Sequence, residues 1–79
     1  MRQETIYALS ILLNFLKSYE ILNEVEPTNF NLNGKRFIHF HDEPVGLWAD
    51  IFLSKGVLRM PANTASEQAD VIGTIEPTL

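Results

Sequence analysis

Apolar residues recur three and four apart along Ile6, Leu9, Leu13 and Leu16, and a second set, Leu12, Phe15, Tyr19 and Leu22, falls on the adjoining face. Ser10, Asn14, Lys17 and Glu24 lie largely opposite. This period predicts one long amphipathic helix from about Glu4 to Glu24. Glu24-Val25-Glu26-Pro27 ends it, because the residue before a proline is pushed out of the helical region. The apolar arc is wide for a helix with one sheet face to rest on. Tyr7, Ile11 and Leu12 either flank a single core stripe or meet a second copy or another protein.

The period then shortens to two. Phe30 and Leu32 form a short edge strand or pin the connection, and Asn33-Gly34 is a turn pair. Lys35 to His41 and Val45 to Leu53 are rich in aromatic and branched residues around the turn composition Asp42-Glu43-Pro44, so they predict a β-hairpin. On its first strand Phe37, His39 and His41 share one face, and Ile38 and Phe40 the other. On the second, Val45, Leu47, Ala49, Ile51 and Leu53 alternate with Gly46, Trp48, Asp50 and Phe52. The preferred register sets His41 opposite Gly46, His39 opposite Trp48 and Phe37 opposite Asp50. Ile38, Phe40, Leu47, Ala49, Ile51 and Leu53 then turn to the helix, and a one-residue slip would bury both imidazoles among aliphatics at a desolvation cost.

Ser54-Lys55-Gly56 is a further turn, and Val57 to Met60 reads as a third strand stopped by Pro61. Thr64-Ala65-Ser66-Glu67 matches a capping box and starts a helix to about Ile75, with Ala65, Ala69, Ile72 and Ile75 on its apolar face and Gln68 beside it. The expected architecture is α+β in the order α-β-β-β-α: a small antiparallel three-stranded sheet, a long N-terminal helix and a short C-terminal one, all within one domain spanning 1–79.

Composition narrows the function classes. At 79 residues the chain makes one domain with a thin core. With no Cys it has no disulfide, no thiolate nucleophile and no Cys-based zinc site. Six Lys and Arg against ten Asp and Glu, a formal charge of -4, and no basic run longer than Lys35-Arg36 speak against nucleic-acid binding. The first apolar run, broken by Ser10 and Asn14, is too short to span a bilayer and lacks a small-residue cleavage site, so a cytoplasmic protein without membrane partners is expected.

The candidate chemistry lies on the outer hairpin face. His39 and His41 leave the same side, and with Asp50 (or Asp42 or Glu43) they suit zinc or another divalent transition metal. Only two histidines exist, however, and Asp50 lies diagonally from His39 in the preferred register, so packing histidines with satisfied hydrogen bonds are the simpler reading; a site shared across a dimer is a further one. An imidazole beside a carboxylate can act as a general base, but no activated nucleophile or phosphate-cradling loop accompanies it. Arg36 and Arg59 are candidates to bind an anion or acidic partner, or simply pair with local carboxylates. The leading expectation is a non-catalytic protein-interaction or regulatory domain, self-associating as a dimer or binding a protein partner through Tyr7, Ile11, Leu12, Phe37, Trp48 and Phe52. The alternative is a metal-binding protein or metal-dependent enzyme using His39 and His41.

Overall fold

The computed structural model describes all 79 residues. Two short helices, α1 (Gln3–Ala8) and α2 (Ser10–Lys17), precede five strands: β1 (Leu22–Glu26), β2 (Asn29–Leu32), β3 (Lys35–Glu43), β4 (Gly46–Leu53) and β5 (Gly56–Pro61). Helix α3 (Ala65–Ile75) and a 3₁₀ turn at Glu76–Thr78 complete the chain. The strands form one antiparallel sheet in the order β1-β2-β3-β4-β5, so each pairs with its neighbour in sequence.

This α+β fold corrects the expected three-stranded sheet with a long N-terminal helix. Leu9, at φ -94° and ψ 5°, leaves helical geometry and divides α1 from α2. Past Lys17, the Ser18 hydroxyl donates to the Phe15 carbonyl at 2.6 Å, a local bond that competes with helix continuation. Leu22 to Glu26 then extends, because pairing with β2 (Leu22↔Leu32, Glu24↔Phe30) gives partners to the backbone groups on its inner edge. Only Leu22 of that strand is buried.

All four hairpins close with two-residue loops. At Asn33-Gly34 both residues have positive φ, 54° and 77°, the mirror-image turn whose twist matches the flanking strands. Pro27-Thr28 joins β1 to β2 with Thr28 at φ 77°, a costly conformation for a β-branched residue, here buried and fixed by its carbonyl accepting from the Phe40 amide at 3.2 Å. Pro44-Val45 joins β3 to β4, and Ser54-Lys55 joins β4 to β5. Pro44 is the first central residue of its turn, where its fixed φ fits.

That turn sets a register two residues from the expected one: His41 faces Trp48, His39 faces Asp50 and Ile38 faces Ile51. A two-residue shift keeps every side chain on its own face. Ile38, Phe40, Ala49 and Ile51 therefore pack in one core with Phe30, Leu9, Leu12, Leu13 and Leu16 from the first helices and Val71 and Ile75 from α3. Phe37 joins them because the register between β2 and β3 slips there: Phe30 pairs with Ile38 and Asn31 with Arg36, leaving Phe37 as the extra residue of a bulge.

Helix α3 starts on the capping box, with the Glu67 amide donating to Thr64 Oγ1 at 3.0 Å and Glu67 Oε1 accepting from the Thr64 amide at 3.1 Å. Its inward face is Gln68, Val71 and Ile75, with Ile72 half-buried, while Ala65 and Ala69 are exposed. Gln68 Nε2 donates to the carbonyls of Ala8 and Ala62, 3.1 Å from each. A buried amide thus ties the end of α1 to the start of α3.

Candidate functional site

All three helices contribute to the core on one side of the sheet, which leaves the other side to build a surface. Alternation along β3, β4 and β5 places His39, His41, Trp48, Asp50, Phe52, Val57 and Arg59 there. Two rows cross this face, one of His39, Asp50 and Arg59 and the other of His41, Trp48 and Pro61.

Arg59 is the hub. Its Nε and Nη2 donate to Asp50 Oδ1 and Oδ2 at 2.8 and 3.2 Å, and its Nη1 donates to Glu43 Oε1 at 2.8 Å. The guanidinium carbon also lies 5.9 Å from the centre of the Trp48 ring, within cation–π range. His41 Nε2 approaches Asp50 Oδ2 at 3.0 Å. Hydrogen bonding to Arg59 holds the Asp50 carboxyl below its ordinary pKa, and the two carboxylates raise that of Arg59.

A second cluster lies alongside. The His39 and Phe52 rings meet edge to face at 5.3 Å between centroids, and the Arg36 guanidinium carbon stands 5.7 Å from the Phe52 ring centre. Burial, then the positive charge of Arg36, pushes the His39 imidazole below its ordinary pKa. His39 Nε2 and Trp48 Nε1 are shielded from solvent without a hydrogen-bond partner.

The structure separates the residues that the sequence grouped. Trp48 and Phe52 are half-buried on the open face, whereas Phe37 is in the core. Tyr7 and Ile11 protrude from the helices, 80% and 76% exposed, but Leu12 beside them is fully buried and offers no surface. Asp50 sits directly opposite His39, not diagonally, yet its oxygens are engaged by Arg59 and approached by His41. No group of three or more His, Asp or Glu side chains converges in a metal-holding arrangement. Sequence reading offered local carboxylates as partners for Arg59 but not Glu43 in particular, because that contact spans two turns and its only signal is opposite charge on strands two apart.

No family model matches the chain, and no curated protein or solved structure is similar to it. No helix is long and apolar enough to cross a membrane.

Proposed function

We propose that the protein is a non-catalytic interaction domain whose open sheet face pairs with the same face of a second copy. The observation that carries this reading is the aromatic face itself: Trp48 and Phe52 lie on the side away from the helices, each accompanied by an arginine. Trp and Arg dominate interface energetics because they combine large buried area with a directional cation.

The charge pattern supports a second copy as the occupant. Although the chain carries -4 overall, Arg36 and Arg59 balance Glu43 and Asp50 on this face. Along β3 the open face is basic at one end, at Arg36, and acidic at the other, at Glu43. A two-fold axis through the middle of the face would set the basic end of one strand over the acidic end of its partner's, the self-complementarity an isologous dimer requires.

Sedimentation velocity over a micromolar concentration series tests the reading. A dimer is expected, weakened by Trp48→Ala and by either Arg36→Glu or Glu43→Arg. The combined Arg36→Glu/Glu43→Arg chain should regain association, since reversing both ends restores opposite charges across the axis. A monomer at every concentration, or a double reversal no better than the singles, would overturn it.

A further inference from the structure

We infer that the end of the sheet carries a binding groove for a small organic anion with an apolar body, a site that borders the self-association surface and shares Arg36 and Phe52 with it. The six cations of the chain divide into two sets. Arg2 pairs with Asp42, Lys17 with Glu24, and Arg59 with Asp50 and Glu43. Lys35, Arg36 and Lys55 form no salt bridge, although acidic residues outnumber basic ones, and all three line a single groove of about 800 Å³. No carboxylate lines it. Three uncompensated cations around one concavity, in a chain that pairs its others, make a local positive field against a negative background.

The remaining walls define the ligand. Phe52, Leu53 and Leu32 supply apolar surface, with Asn33, Ser54 and Thr78 as uncharged polar groups. The groove lies between the β2–β3 and β4–β5 hairpin tips, so Lys35 and Lys55 approach it from different turns. Arg36 is set against the Phe52 ring, which orients a planar fork of donors beside an apolar wall. The volume falls in the range of small-molecule sites, and an apolar surface ringed by a few convergent charges is their usual composition. The chemistry fits a phosphate monoester with an aromatic body: the dianion meets the cations and the ring meets Phe52 and Leu53. Lys35 and Lys55 also supply the two charges that the interface reading leaves unused.

Isothermal titration with three probes tests this assignment: 1-naphthyl phosphate, inorganic phosphate and 1-naphthol. Naphthyl phosphate should bind about tenfold or more tightly than either fragment, because head and body each contribute. The Lys35→Ala/Lys55→Ala double variant should lose about tenfold in affinity or more, as expected for removing charge-assisted contacts, with an unchanged circular dichroism spectrum. Lys17→Ala, on a cation paired elsewhere, should bind as the parent does. Naphthol binding as tightly as its phosphate, phosphate alone matching naphthyl phosphate, or a double variant with undiminished affinity would overturn the site.

Discussion

Arg2 and Asp42, forty residues apart, are joined by a two-pronged ion pair: Nε donates to Oδ2 at 2.9 Å and Nη2 to Oδ1 at 3.2 Å. Thr5 Oγ1 donates to the same carboxylate. The contact latches α1 to the far end of β3, where little apolar surface holds it, since Thr5 is the only buried residue of that helix. Asp42→Ala should therefore loosen α1 selectively. In hydrogen exchange the amides around Leu9 should lose protection while those of β3 and β4 retain theirs; equal loss across the sheet would show the latch to be part of the global core.

Stability should fall in two steps as pH is lowered. Asp42 and Asp50 are held below the ordinary 3.8 chiefly by arginine, and Glu67 below 4.5 by the amides of Asn63 and Thr64. A depressed carboxyl pKa contributes stability that is complete above the unfolded value and disappears as pH falls through the folded one. His39, pushed below 6.5 by burial, acts earlier: as pH drops past 6.5 the unfolded chain takes its proton first, and stability declines until the folded pKa is reached. Urea midpoints measured from about pH 8 to about pH 3 should show both declines, and His39→Phe should remove only the first.

The first helices provide a contrast between adjacent leucine-like positions. Leu12→Ala should cost about 2 to 5 kcal/mol, because Leu12 is wholly buried, and Ile11→Ser should stay within about 0.5 kcal/mol, because Ile11 is mostly exposed. Chemical denaturation of each variant reads the difference. A large loss from Ile11→Ser would mean that this surface is covered in solution.

Gly46 and Gly34 should respond differently to alanine. A Cβ on Gly46 would come within 2.7 Å of Asn63 Oδ1, the atom that accepts from the Leu47 amide, and its φ of +135° is itself unfavourable. Gly34 has open space but φ +77°, so only the backbone cost of about 1 kcal/mol applies. Gly46→Ala should be the more destabilised in thermal melts, and removing the Asn63 side chain should narrow the gap.

The meander's central features were legible in sequence where local chemistry decides them. Asn33-Gly34, Ser54-Lys55 and the Thr64 capping box all fall where their residue types predict, and the alternation of β3 and β4 assigns Ile38, Phe40, Ala49 and Ile51 to the core. Alternation repeats every two residues, however, so it cannot distinguish registers two apart; the position of Pro44 within its turn does. Strand β1 was hidden because an edge strand with one buried residue has almost no pattern, and its Leu22 also continues the helical spacing from Leu12, Phe15 and Tyr19. Phe37 was misplaced because a bulge shifts one residue without any mark in the alternation. The basic groove had one visible signal, the shared charge of Lys35, Arg36 and Lys55, whose meeting depends on the paired hairpins.

The four two-residue loops also bear on how the molecule assembles. Because every strand pairs with its sequence neighbour, the sheet can grow hairpin by hairpin, each step closing a minimal loop and incurring little chain entropy. The distant contacts, Arg2 with Asp42 and Gln68 with Ala8, belong to helices at opposite ends of the chain. They are the late-forming clasps of a zipper whose teeth already mesh, so substitutions there should accelerate unfolding far more than they slow folding.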